Sequence, residues 1–188
     1  MSHLTGKKVA ILATDGFEQS ELEQPRDALK AAGATVEVVS PKSGEIRGWQ
    51  MKDWGTAVKV DRALDKAKAA DYDALVVPGG VINPDKLRVE PKAVQFVKDF
   101  YAAKKPIASI CHGPWLLVEA DVLEGVQVTS YGSIRTDVEN AGALWVDRPV
   151  VVDQGIVTSR NPDDLPAFCR KMIEEIAEGR HTRRDAAE

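Results

Sequence analysis

Short apolar runs alternate with longer amphipathic stretches along most of the chain. Residues 8–13 are almost continuously apolar, which is typical of a strand buried on both faces, and residues 74–77 and 106–110 repeat the pattern. After Glu90-Pro91, the apolar residues Val94, Val97 and Tyr101 recur at helical spacing. Strands that alternate with amphipathic helices predict βαβ units, and therefore an α/β fold with a mostly parallel sheet.

The same pattern predicts where the elements lie. We expect strands at residues 8–13, 35–39, 74–77, 106–110, 126–129, 150–152 and 156–158, and helices at 20–32, 62–69, from 91 onwards, at 113–120 and from 163 or 164 to about 178. Gly33 is placed to end the first helix in a left-handed cap, and Pro25 to kink it. Residues 40–60 contain several glycines and predict a hairpin or loop. Without an internal repeat or a linker, residues 1–188 are expected to form one domain, with a charged tail at 178–188.

Composition and charge narrow the class of protein. A net charge of −4 offers no electrostatic footprint for nucleic acid, and the arginines near the C-terminus are interpreted as part of a solvated tail. The sequence has neither a signal peptide nor an apolar run of membrane-spanning length. Two cysteines in 188 residues predict free thiols in a reducing compartment. We therefore expect a cytoplasmic protein that binds no nucleic acid and no membrane.

Cys111 is the strongest candidate for chemistry. It directly follows a buried strand and precedes His112, Gly113, Pro114 and an apolar helix, an order typical of a nucleophile elbow. Such a turn lifts the side chain above the sheet at a helix N-terminus, where partial positive charge favours a thiolate. The sequence therefore predicts that Cys111 is a thiolate nucleophile.

Two further strands end in unusual residues, and the carboxyl ends of parallel strands share one edge of a sheet. Pro78-Gly79-Gly80 ends one strand, and its N–H groups, with those of His112 and Gly113, are predicted to form an oxyanion site beside the sulfur. Near the end of the first strand, Glu18 is expected to be protonated beside the sulfur, to donate a hydrogen bond to it and to move protons.

A base and its orienting group complete the predicted site. His112 is the candidate base, although adjacent residues on a helix point in different directions. Asp85, just after the Gly-Gly turn, is the candidate that orients its imidazole.

No cofactor or metal is predicted. The histidines and cysteines are scattered singly, and neither a Walker loop nor a dinucleotide fingerprint is present. Cys169 shares a helix face with Met172, Ile173 and Ile176, which indicates core packing.

These motifs together resemble the ThiJ/PfpI superfamily, and within it the PfpI-like intracellular protease and general stress protein branch. The segments that carry the resemblance are Ala13-Thr-Asp-Gly-Phe-Glu18, Val77-Pro-Gly-Gly80, Ile110-Cys-His-Gly-Pro114, residues 129–142 and residues 159–168. The resemblance covers nearly the whole chain, and the cysteine elbow with its upstream glutamate is its most specific part.

The resemblance implies a flavodoxin-like three-layer α/β sandwich, of the class I glutamine amidotransferase-like type, with helices on both faces of the sheet. It implies a homo-oligomer, a dimer or larger, in which a carboxylate from a neighbouring subunit completes a Cys–His–acid triad. Carried over by position, that triad is Cys111, His112 and Asp85, and the family's glutamate beside the nucleophile is Glu18.

Three hypotheses follow for function. The first is a glyoxalase- or deglycase-type enzyme that uses Cys111 on reactive carbonyls, glycated proteins or glycated peptides. The second is an intracellular cysteine peptidase that uses the same sulfur. The third is a redox-sensing stress protein or chaperone, because an accessible thiolate is readily oxidised. Fold resemblance by itself does not choose among them.

Overall fold

A seven-stranded sheet forms the centre of the molecule in the computed structural model, which describes residues 3–183. The strands of the chain are β1 (Lys8–Leu12), β2 (Phe17–Glu18), β3 (Thr35–Ser40), β4 (Glu45–Gln50), β5 (Asp53–Lys59), β6 (Arg62–Ala63), β7 (Ala74–Val77), β8 (Ile107–Ile110), β9 (Gln127–Val128), β10 (Leu144–Trp145), β11 (Val150–Asp153) and β12 (Ile156–Ser159). The helices are α1 (Gln19–Ala31), α2 (Ile82–Leu87), α3 (Pro91–Ala102), α4 (Pro114–Glu119), α5 (Arg135–Asn140) and α6 (Leu165–Glu178).

The central sheet has the order β11-β12-β8-β7-β1-β3-β6, and all its pairs are parallel except β11 with β12. Its five longer parallel strands follow the flavodoxin order, since β3 and β7 lie on either side of β1 and then β8 and β12 follow. The strand order therefore reverses between β1 and β7, the place where open α/β sheets bind ligands. The predicted flavodoxin-like fold is confirmed.

Helices cover both faces of this sheet, because alternate residues of each buried strand point to opposite sides. Ala10 and Leu12 belong to a core with α3, α4 and α5, whereas Val9 and Ile11 belong to a core with α1 and α6. The nearly continuous apolar run of β1 is thus explained by a strand with helices on both sides.

Several predicted elements are confirmed close to their bounds. Helix α1 holds Pro25 in its interior, and Gly33, with φ of 95°, follows its end in a left-handed conformation. Residues 45–59 form the antiparallel hairpin of β4 and β5, which pairs with β2 outside the central sheet. Among residues 3–183, no helix combines the length and apolar character needed to cross a membrane.

Three differences from the expected elements have physical reasons. The helix predicted at residues 62–69 is wrong: Arg62–Ala63 pairs with β3, and two 3-10 turns follow at Leu64–Lys66 and Ala69–Asp71. Helices α2 and α5 were not predicted, because at six residues each they are too short for an amphipathic period to stand out.

The expected solvated tail is wrong for Arg183, which is buried. Its guanidinium donates to the carbonyls of Tyr101, Lys105 and Gln154 and lies over the Tyr101 ring. Backbone carbonyls and an aromatic face thus replace water around this cation. Residues 184–188 of the predicted tail lie outside the described residues.

Candidate active site

The ends of β1, β7 and β8 meet at the carboxyl edge of the sheet. The loop after β1 touches the loop after β7, since the Glu18 N–H donates to the Gly79 carbonyl over 3.2 Å and the Thr14 N–H donates to Asn83 Oδ1 over 2.7 Å. These contacts lie at the point where the strand order reverses. The three motifs identified in the sequence are therefore brought together by the topology.

Cys111 lies immediately after β8 in a left-handed backbone conformation, with φ of 63°. For a residue with a Cβ this conformation costs about 1–2 kcal/mol. It is held by neighbours on both sides, because the Cys111 N–H donates to the Ser159 carbonyl and the Cys111 carbonyl accepts from the Tyr131 N–H. This constrained strand end has the geometry expected of a nucleophile elbow, and only 6% of Cys111 is exposed.

Gly113 makes the elbow possible. A Cβ at Gly113 would lie 2.4 Å from Ser109 Oγ and 2.7 Å from the Val77 carbonyl oxygen, closer than real side chains come. Only glycine therefore lets helix α4 start directly above β7 and β8.

The carboxyl group beside the sulfur belongs to Glu21. Its side chain is fully buried and accepts the Gly79 N–H at Oε2 over 2.8 Å, and a Cβ on Gly79 would lie within 3 Å of both Glu21 Oε2 and Cys111 Cβ. Among the described residues, its Oε1 has no hydrogen-bond partner.

Glu18 takes another role. It is the N-cap of α1, and its carboxylate accepts from the Ser20 hydroxyl and, over 3.0 Å, from the Glu21 N–H. This corrects the prediction for Glu18: the capping contacts hold its carboxylate at the start of α1, and the next turn of that helix carries Glu21 to the sulfur.

Glu21 and Cys111 are both buried acids, and burial opposes the ionisation of each. Burial and the charge of Glu18 raise the pKa of Glu21 well above its usual 4.5. Burial and the charge of Glu21 raise the pKa of the Cys111 thiol, against the N–H groups of Gly80 and His112, which lower it. The pair therefore does not lose both protons, and a thiolate at Cys111 requires a proton on Glu21.

His112 reaches the sulfur in spite of its adjacency. Its Nδ1 lies 3.2 Å from Cys111 Sγ, because the left-handed conformation of Cys111 takes the pair out of regular helix geometry. The imidazole stacks on the Tyr131 ring with centroids 4.6 Å apart and meets the edge of Trp115 at 5.3 Å. Burial lowers the pKa of His112, so the ring is neutral at pH 7 and able to accept a proton.

Backbone donors to the sulfur come from Gly80 and His112. The predicted oxyanion roles of the Gly79 and Gly113 amides are wrong, because the Gly79 N–H donates to Glu21 and the Gly113 N–H donates to the Ile110 carbonyl over 2.9 Å. Gly80 has φ of 80°, and a Cβ there would lie 2.5 Å from the Gly16 carbonyl oxygen. The β7 loop therefore needs glycine at position 80 to bring this N–H to the site.

Asp85 lies in α2 and makes an ion pair with Arg88, with 2.8 Å between Oδ1 and Nη2. Its side chain is 57% exposed. The hydrogen-bond partner of His112 Nε2 is the Ser133 hydroxyl, with 3.2 Å between Nε2 and Oγ. Within the chain, Asp85 is thus directed to Arg88 and not to the imidazole.

Sequence reasoning missed Glu21 and the residues around the imidazole. A signal for Glu21 was present, since it shares the buried side of α1 with Leu22, Pro25 and Leu29, where a carboxyl group is out of place. Trp115, Tyr131 and Ser133 carry no comparable signal, because Tyr131 and Ser133 reach the site from a loop remote in sequence.

Outside this site, Cys169 packs against the core on the α1 and α6 side, and burial raises its pKa to about 11. Ligand atoms of Glu175, Glu178 and His181 come within 4.8 Å of one another at the far end of α6, a cluster that the sequence did not predict. There His181 Nε2 lies 3.1 Å from a Glu175 side-chain oxygen.

Comparison with known proteins points to one family. Residues 7–175 match the model of the DJ-1/PfpI family. The chain is 48% identical over 171 residues to general stress protein 18 of Bacillus subtilis, covering 89% of this chain and 96% of that protein. It is 44% identical over 169 residues to protein/nucleic acid deglycase 2 of Escherichia coli, with the same coverage of 89% and 96%.

A solved structure shows the same fold. It is a two-domain protein of Anabaena variabilis with a DJ-1/ThiJ/PfpI-like and a ferritin-like domain, and it aligns with a TM-score of 0.86 at 37% identity. The alignment covers 90% of this chain and 48% of that longer one.

Proposed function

Because the chain belongs to the DJ-1/PfpI family, we propose that it is a cytoplasmic stress-response enzyme whose Cys111 acts on reactive carbonyl compounds, in the manner of a glyoxalase or deglycase. The observation that carries the proposal is the set of groups around one sulfur. His112 accepts a proton, Glu21 carries one, and two N–H groups face the sulfur. The E. coli relative named as a deglycase supports the same class of substrate.

The proposed reaction gives each group a step. His112 Nδ1 takes the thiol proton as the sulfur adds to an aldehyde carbon, which forms a hemithioacetal. The N–H groups of Gly80 and His112 stabilise the oxyanion, and Glu21 donates its proton to that oxygen. The aldehyde hydrogen then moves as a proton to the neighbouring carbon, and the new hydroxyl proton moves to the oxygen of that carbon, which gives a 2-hydroxy thioester.

Water closes the cycle. Its attack on the thioester breaks the carbon–sulfur bond and releases a 2-hydroxy acid, while His112 returns its proton to the sulfur and Glu21 regains a proton from the water. For methylglyoxal the sum is one molecule of substrate and one of water giving one of lactate, with no external oxidant. The reaction thus needs only acid–base groups, in keeping with the prediction of no cofactor.

Enclosure of the sulfur favours a small substrate over a long peptide. Cys111 is only 6% exposed, and the imidazole beside it contacts two aromatic rings, so little of this residue is open to solvent. A carbonyl compound of a few atoms, or a short adduct on an exposed side chain, fits such an enclosed site better than an extended backbone does.

The test is lactate formation from methylglyoxal by wild type, by Cys111→Ser and by the control Cys169→Ser. We expect turnover in wild type and Cys169→Ser and loss of it in Cys111→Ser. If no variant exceeds the background, the carbonyl proposal fails. Peptide hydrolysis and peroxide oxidation at Cys111 then distinguish a peptidase from a redox sensor.

Asp85 remains a prediction that concerns a second subunit. Since its exposed carboxylate is turned outward, we propose that it reaches a neighbouring His112 only in an oligomer. Asp85→Ala is then expected to impair turnover more than it impairs alkylation of Cys111, and to do so only under conditions where the chain is oligomeric by light scattering. Unchanged turnover in the oligomer would exclude Asp85 from the site.

A further inference from the structure

The imidazole of His112 has a hydrogen-bond partner at each ring nitrogen. Nδ1 lies 3.2 Å from Cys111 Sγ, and Nε2 lies 3.2 Å from Ser133 Oγ. A neutral imidazole carries one N–H, and which nitrogen carries it is set by the partner that accepts. The two contacts are therefore coupled through the ring.

Only one tautomer suits proton transfer from the sulfur. For Nδ1 to accept the thiol proton, the resting ring must carry its own proton on Nε2, and that N–H needs an acceptor. The Ser133 hydroxyl oxygen is such an acceptor, and it still accepts after the ring becomes an imidazolium. This bond favours both the resting tautomer and the charged product of proton transfer.

Ser133 is held in place by the elbow itself. It lies in the 3-10 turn Gly132–Ile134, whose Ile134 is anchored in the core. One residue before this turn, the Tyr131 N–H donates to the Cys111 carbonyl over 2.9 Å, and the Tyr131 ring stacks on the imidazole. The same short segment thus fixes the plane of the ring and places a hydroxyl at its outer nitrogen.

We propose that Ser133 is a positioning residue, which holds His112 in the tautomer that accepts the Cys111 proton. The inference rests on the proposed function in one respect, namely that His112 is the base for Cys111. Within one subunit it places this chain's own hydroxyl at the imidazole, whereas the contact proposed for Asp85 requires an oligomer. In the free subunit the imidazole is therefore already oriented, without a carboxylate from a second chain.

The experiment compares Ser133→Ala with Ser133→Thr, which retains a hydroxyl, and with Thr136→Ala, which removes a hydroxyl from the neighbouring turn. The first readout is the nitrogen NMR spectrum of His112, one of three histidines in the chain. We expect wild type and Ser133→Thr to carry the proton on Nε2, and Ser133→Ala to show a mixture of tautomers.

The second readout is the rate of Cys111 alkylation by iodoacetamide as a function of pH. Loss of one hydrogen bond to the imidazolium is expected to lower the rate near neutral pH about threefold to tenfold and to move the pH midpoint upward. Ser133→Thr is expected to remain within about twofold of wild type. In lactate formation, Ser133→Ala should lower kcat and leave KM nearly unchanged.

The proposal is overturned if Ser133→Ala matches Thr136→Ala in both the tautomer and the alkylation profile. It is also overturned if Asp85→Asn shifts the tautomer and Ser133→Ala does not, since the carboxylate is then the orienting group. Neither readout depends on turnover. If wild type makes no lactate while Ser133→Ala still changes the tautomer, the proposed function fails and the role of Ser133 stands.

Discussion

Glu21→Gln removes the ionisable carboxyl group of the buried pair and keeps nearly the same side-chain shape. The amide retains an oxygen for the Gly79 N–H and places an N–H₂ group near the sulfur, so the packing around this fully buried side chain is conserved. It removes the one feature under test, which is a carboxyl group whose pKa is raised by burial.

The magnitude follows from linkage between proton binding and folding. Below about pH 4.5, the usual value, Glu21 binds its proton in both the folded and the unfolded chain. Above it, the unfolded carboxyl ionises while the folded one keeps its proton. Each pH unit then lowers the free energy of unfolding of wild type by about 1.4 kcal/mol, until the folded carboxyl also ionises.

Glu21→Gln lacks this loss, so its stability relative to wild type should rise with pH. For a chain of this size, about 1.4 kcal/mol corresponds to a relative Tm gain of about 3–6 °C per pH unit. The assay is urea and thermal unfolding of both proteins at pH 5, 6 and 7. Glu23→Gln is the control, because it amidates a half-buried carboxylate on the same helix.

A difference between Glu21→Gln and wild type that stays constant from pH 5 to pH 7 would refute the reasoning. It would mean that folded Glu21 ionises as readily as the unfolded side chain does, and that it holds no proton for the sulfur. In that case its part in the proposed reaction would fail as well.

Two further predictions concern the elbow and the loop beside it. Burial raises the pKa of both thiols, but His112 Nδ1 lies 3.2 Å from the Cys111 sulfur and accepts its proton. Cys111 should therefore react with iodoacetamide much faster than Cys169 near pH 7, measured by peptide mass spectrometry; equal labelling would contradict the assignment of the nucleophile. Gly80→Ala should lower the free energy of unfolding by about 2 kcal/mol more than the control Gly125→Ala. Both glycines have positive φ, but of the two it is Gly80 that has backbone atoms within 3 Å of an added Cβ. Equal losses in urea unfolding would show that the loop has room.

The position of the nucleophile could be predicted because it depends on local order in the chain. A buried strand that is followed by cysteine, histidine, glycine, proline and an apolar helix allows few backbone conformations at the turn. The left-handed conformation of Cys111, with φ of 63°, is one of them. Gly33 at the end of α1 and the hairpin after β3 were predictable for the same reason, since turns depend on nearby residues.

The carboxyl partner could not be chosen in this way. Glu18 and Glu21 are three residues apart at the start of α1, and local sequence favours Glu18, which follows the strand more closely. The choice depends on how α1 is rotated when Leu22 and Leu29 pack against the sheet, which turns Glu21 inward and leaves Glu18 at the cap. The Gly79 and Gly113 amides are a second such case, since the sequence does not show that their N–H groups donate to Glu21 and to the Ile110 carbonyl.

By itself, the sequence determined the α/β class, the parallel sheet, the edge where three motifs meet and the sulfur at its centre. These features follow from apolar periodicity and from glycine and proline at strand ends, which act over a few residues. Only the tertiary structure decided that the buried carboxyl group beside Cys111 belongs to Glu21 and that Ser133 contacts Nε2 of His112. Contacts of that kind join segments tens of residues apart, and they depend on packing, burial and ring orientation that no local pattern encodes.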